Sequence, residues 1–193
     1  MPNTANSSWN YDTKTTAPTP ATGNYTLKAT NKDTVIGSRT YRVYTNSGGQ
    51  NEYYAQVGSD YYQYTTAAGL STQAVEVLYL KDAAAGTTWS ETQSITMNNI
   101  PISTTLNYQI AEKGISYTTN GKTYTDVTHV KVTLGAFTLP FPIPITQTSD
   151  IHFYYARGIG RIYNHTKITV AAALLMLNLS IDNELLLKTY TIQ

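Results

Sequence analysis

Apolar and polar residues alternate along most of this chain. In DTVIGSRTYRVYT (33–45), Val35, Tyr41 and Val43 fall on a period of two, and YTLKAT (25–30) reads the same way. That period puts every second side chain on one face of a β-strand. NEYYAQV (51–57) and YYQYTT (61–66) flank Gly58, which can adopt the positive φ of a tight hairpin. Asn120-Gly121 is a stronger hairpin signal of the same kind. QAVEVLYL, TTWSETQSITM, TTLNYQIAEKG, ISYTT, TYTDVTHVKVTLGAF and NELLLKTYTIQ read as further strands, with Lys113-Gly114 as a break between two of them. The apolar register slips between Val127 and Val130, which predicts a bulge or a change of face.

The stretch DIHFYYARGIGRI (150–162) poses a choice between a glycine-rich phosphate cradle and a turn between two strands. Gly158-Ile159-Gly160 lacks the third glycine of a dinucleotide fingerprint, and no helix signal follows it. The reading is a structural turn at Gly158 and Gly160. On that reading Gly158→Val unfolds the protein without touching a ligand. ITVAAALLMLNLSI (168–181) has helix-like Ala, Leu and Met, but β-rich sequence on both sides favours a strand. LPFPIPI (139–145) alternates prolines and reads as a polyproline-like or edge segment. The first 24 residues combine a short strand at Trp9–Lys14 with a Pro/Thr loop. No linker divides the chain, so residues 1–193 are read as a single all-β domain. NSSWNY and GTTWSE share a small-polar-polar-Trp pattern that hints at duplication.

Composition narrows the function classes. Charged residues are only 13%, against about 25% in an average soluble protein, and tyrosine is plentiful at 17. The formal charge of +1 gives no footprint for nucleic acid. The absence of cysteine removes disulfides, thiolate metal sites and a cysteine nucleophile. The start, MPNTANSSWNY, has no apolar leader, and the longest apolar run is too short for a spanning helix. A low-charge, Thr- and Tyr-rich composition fits an exported domain whose signal has been removed.

Catalytic and metal motifs are sparse. His129, His152 and His165 are not spaced as a zinc motif, although His129 and His152 could meet in space. Asp60, Glu76, Glu91, Glu112 and Asp126 are read as solvated acids on or beside strands rather than a glycosidase pair. No GxSxG elbow or Walker loop occurs. The expectation is a non-enzymatic protein with no cofactor and no metal.

SSWNY, GTTWSE, YTTNGKTYTDVTHVKV, IHFYYARGIGRI and LLLKTYTI occur in that order over most of the chain. Together they resemble a family of exported bacterial lipoproteins and surface domains of unknown function. That family's pattern runs Gly-x-x-Trp, Gly-Lys-Thr-aromatic, then Tyr-Ala-Lys-Gly-Val-Gly. Here Arg157 and Ile159 replace its Lys and Val, and the lipid-bearing Cys is missing. The resemblance implies a strongly curved antiparallel sheet or open half-barrel, like lipoprotein carriers, and no catalytic residues. It implies a periplasmic or outer-membrane-associated location, and a lipid, another apolar ligand or an envelope protein as partner. Trp89, Tyr154, Tyr155 and Arg157 are the expected lining or rim of the concave face. A carbohydrate-binding module and a structural component of the cell surface are the alternatives.

Overall fold

The computed structural model describes residues 1–66, 74–97, 100–138 and 143–193. The strands are β1 (Ser8–Ala17), β2 (Ala21–Ile36), β3 (Arg39–Asn46), β4 (Asn51–Val57), β5 (Asp60–Thr66) and β6 (Ala74–Lys81). They continue as β7 (Thr88–Met97), β8 (Ile100–Thr119), β9 (Lys122–Leu134), β10 (Thr146–Ala156), β11 (Gly160–Ala172) and β12 (Leu177–Thr191). All are antiparallel in one sheet of order β6-β5-β4-β3-β2-β1-β12-β11-β10-β9-β8-β7. The first and last strands pair in the middle, so the chain winds as two meanders that meet at β1 and β12. The sheet curls into a nearly closed barrel with one unsealed seam between β6 and β7. The expected all-β, strongly curved antiparallel sheet is therefore the observed architecture. The two Trp-centred stretches open β1 and β7, the first strands of the two meanders.

Several local features differ from the sequence reading. β1 runs the full length of Ser8–Ala17, beyond the short strand expected there, because it pairs on both sides with β2 and β12. Lys113-Gly114 does not break a strand. Gly114 sits at φ +72° inside the 20-residue β8, and the pairing with β9 shifts around it, so the glycine forms a bulge. Asp126, at φ +52°, lies just before Val127, where the register slip was expected. The 168–181 segment is strand on both sides of a single 3-10 turn at Ala173–Leu175, with Met176 left-handed at φ +50°. The centre of the LPFPIPI segment, 139–142, lies outside the described residues.

A barrel of about eight strands is just wide enough for side chains to fill, and width grows with strand number. This one fills its larger interior with aromatic bulk. Trp9, Tyr11, Tyr44, Tyr54, Tyr79, Tyr108 and Tyr155 are buried in one cluster with Leu27, Val130, Val132 and Leu187. Such rings pack edge to face, as Tyr44 and Tyr54 do at 4.9 Å and Tyr54 and Tyr79 at 6.0 Å. Buried hydroxyls need partners, and the core supplies backbone ones: Tyr11 Oη donates to Arg161 O and Tyr44 Oη to Pro2 O. The opposite face of β8–β12 carries Glu112, His129, Lys131, Asp150, His152, His165, Lys167, Asp182 and Glu184. A lipid-facing barrel wall presents an apolar band instead. Among the described residues no helix is long and apolar enough to cross a membrane.

Candidate ligand-binding site

The β10–β11 hairpin builds one end of the barrel. Gly158 and Gly160 have φ +72° and +99°, and the three-residue turn between the strands closes with Ile159 N donating to Ala156 O. Two side chains of β1 hold this hairpin from 150 residues away in sequence. Trp9 Nε1 donates to Ile159 O at 2.7 Å, and Tyr11 Oη reaches Arg161 O at 3.0 Å. The turn is thus fastened to the first strand of the chain's first meander.

Beside this hairpin lies a cavity of about 280 Å³. Tyr155, Tyr61 and Leu80 form its apolar wall, and Thr128, Gln56 and Met1 complete it. Arg157, Gly158 and Gly160 border it as well. A second space of about 180 Å³ lies on the other side of Met1, against Tyr44, Tyr54 and Tyr79. Met1 lines both. Its nitrogen donates to Tyr79 Oη at 3.1 Å, and its Sδ accepts from Arg161 N at 3.4 Å.

Charges at the mouth are matched. Arg157 Nε is 2.7 Å from Asp126, Lys113 Nζ is 2.7 Å from Asp82, and Lys81 Nζ is 3.9 Å from Asp60. Hydrogen bonding by Lys113 holds the Asp82 carboxyl below its ordinary range. Inside, burial pushes the Tyr11 hydroxyl up to about 12 and raises Tyr155 and Tyr79 also, so these phenols stay neutral. Arg161 is half-buried beside Tyr54, Tyr11 and Tyr155, with its Nε fully enclosed. Burial pulls against its charge, but a guanidinium is too basic to lose its proton, so Arg161 stays charged.

The four residues expected to line one concave face do not come together. Tyr155 points into the barrel, paired with Thr128 and Arg161. Tyr154, its neighbour, points to the other face, as successive strand residues must. There it is sandwiched, with Tyr117 at 3.9 Å on one contact and His129 at 4.2 Å on another. Arg157 is at the mouth, 63% exposed. Trp89 belongs to the seam. It stacks on Tyr108 at 5.1 Å and donates from Nε1 to Leu78 O, and it borders neither space next to Met1. Only Tyr155 and Arg157 share the mouth cavity. The residue that sequence reasoning missed is Arg161. Its signal was the hairpin itself: Ala156 pairs with Gly160, which sets Arg161 opposite Tyr155 and hence inside.

The chain's three histidines gather on the outward face of β9–β11. His129 Nε2 is 2.8 Å from His152 Nδ1, and each ring bonds a carboxylate with its other nitrogen: Glu112 at 2.9 Å and Asp150 at 2.8 Å. His165 pairs with Asp182 at 3.0 Å. With both carboxylates ionised, the Glu112–His129–His152–Asp150 chain needs three ring protons on four nitrogens, so the fully bonded pair carries a single positive charge. A second charge would set two N–H groups against each other and open the contact. Among the described residues no group of three or more His, Asp or Glu converges as a metal site.

No family model, curated protein or solved structure matches this chain.

Proposed function

We propose that this protein binds a small apolar or amphiphilic molecule, without chemistry, in the mouth of its barrel, and does so in the bacterial cell envelope. The observation that carries the reading is the cavity of about 280 Å³ walled by Tyr155, Tyr61 and Leu80 at the end of the aromatic core. Ligand pockets run from about 300 Å³ upward, are mostly apolar and carry a few placed polar groups. This one is at the small end, so a single short chain or ring suits it better than a whole lipid or a lipidated protein. The envelope location rests on the low-charge composition and on the resemblance to exported lipoproteins. A sugar platform on the outward tyrosines has less support, because Tyr154 is already stacked on Tyr117 and His129.

Native mass spectrometry after incubation with short amphiphiles, octanoate and 1-octanol among them, tests the proposal. A discrete added mass, released on denaturation, is expected. A bare protein mass, under conditions where a known carrier loads, would remove the binding reading.

A further inference from the structure

We infer that the mouth cavity takes an anionic ligand, a carboxylate or phosphate on a short apolar body, and that Arg161 is the residue that receives the charge. This rests on the binding reading above and names its ligand class.

Three observations point to it. First, Arg161 is a half-buried cation with no carboxylate within ion-pair distance among the described residues, and its Nε is buried without a hydrogen-bond partner. Burying an ion costs several kcal/mol unless a counter-charge and hydrogen bonds satisfy it. The bases at the mouth, Lys81, Lys113 and Arg157, each have their acid. Glu52 contributes to the field at Arg161, but its oxygens are taken by Asn46 Nδ2 at 3.0 Å and Tyr54 Oη at 2.7 Å.

Second, Arg161 lies among the residues that line the two spaces, although it is not itself in the lining of either. Its cross-strand partner Tyr155 and its neighbour Gly160 line the larger one, while Tyr54 and Tyr79 line the smaller. Met1, which borders both, is bonded to the Arg161 backbone through Sδ. A thioether is a weak acceptor, so an anionic oxygen displacing it would exchange a weak contact for charge-assisted ones.

Third, the aromatic surroundings suit the combination. The Tyr11 ring lies 5.8 Å from the guanidinium carbon, and the neutral Tyr79 hydroxyl, which accepts from Met1 N, has its own proton to offer a carboxylate. An apolar body then lies against Tyr61, Tyr155 and Leu80.

The test compares octanoate, octyl phosphate and 1-octanol by calorimetry on the wild-type protein, Arg161→Met and Arg161→Lys. At least one anion binds the wild type roughly 10- to 150-fold tighter than octanol, the range expected of a charged hydrogen bond. The two anions identify which head group is preferred. Arg161→Met brings the anion down to the alcohol's affinity, and Arg161→Lys keeps part of the difference. Near-ultraviolet dichroism of the tyrosine cluster verifies that the variants fold, and if they do not, the wild-type comparison decides alone. Octanol binding as tightly as both anions would overturn the anion inference and keep the cavity. Failure of all three probes would overturn the binding reading with it.

Discussion

Trp89 in β7 and Leu78 in β6 are joined by a 2.8 Å hydrogen bond from the indole N–H to the backbone carbonyl. They belong to the two edge strands, which share no ladder among the described residues. Edge strands leave backbone groups unpaired, and a side chain bridging them limits how far the seam opens. Trp89→Phe keeps a ring on Tyr108 but removes the donor. The expected cost is about 1 kcal/mol in urea denaturation, with faster hydrogen exchange in β6 and β7 than elsewhere. Unchanged exchange in both strands would show that the bond does not hold the seam.

The Glu112–His129–His152–Asp150 chain predicts acid sensitivity. Burial lowers the affinity of His129 for a proton, the bond to Glu112 opposes that, and the neighbouring His152 ring adds to it. Lys131 lies alongside, Tyr154 covers the ring, and His165 faces the Asp150 end. A base with a depressed pKa binds fewer protons folded than unfolded. Its contribution is therefore complete above the ordinary imidazole range, near pH 6.5, and is lost as pH falls through it. Asp150, held low first by its bond from His152, adds a second loss in the carboxylate range below about pH 4. Urea midpoints measured from pH 8 to pH 5 should fall, and His129→Phe should flatten that slope. An unchanged slope in the variant would assign the pH dependence elsewhere.

Gly158 and Gly160 differ in what a side chain would meet. At Gly158 a Cβ has open space, so Gly158→Val costs chiefly the backbone strain of φ +72°, on the order of 1–3 kcal/mol, rather than the unfolding the sequence led one to expect. At Gly160 the same methyl would lie 2.6 Å from Met1 Sδ and 3.2 Å from Pro2 Cδ. Gly160→Ala should therefore destabilise the protein and also displace Met1 from between the two spaces. Denaturation curves rank the two, and ligand affinity separates them: Gly160→Ala, which moves Met1, alters it more than Gly158→Val does. Equal effects on affinity would mean that Met1 does not border the ligand.

Arg157 spans two acids at the mouth, Asp126 at 2.7 Å and Asp82 at 3.9 Å. Exposed pairs contribute about 0–1 kcal/mol, so Arg157→Ala should barely change stability. It leaves Asp126 without this partner at the mouth, and octanoate should associate more slowly, most clearly at low salt. Equal association rates with and without Arg157 would place the ligand's route away from this hairpin.

Alternation made the strands readable, since a period of two is a local property and the core enforces it. Gly114 shows where local reading stops. A positive-φ glycine serves equally as a turn or a bulge, and only the neighbouring β9 decides, by pairing with β8 on both sides of it. The segment at 168–181 was ambiguous for a related reason, because Ala, Leu and Met fit a helix until β10 and β12 pair with β11 along its length. Tyr154 and Tyr155 were grouped as one site although adjacent strand residues face opposite ways, and that rule alone would have parted them. The seam role of Trp89 was not readable, since it depends on the closure of twelve strands.

The most direct measurement is an amide nuclear magnetic resonance titration of the intact protein with octanoate. The account predicts shifts that saturate at Tyr61, Tyr155, Gly160 and Arg161, with the outward residues His129, Tyr154 and Tyr163 unmoved. Shifts confined to that outward face, or none at all at millimolar ligand, would contradict it.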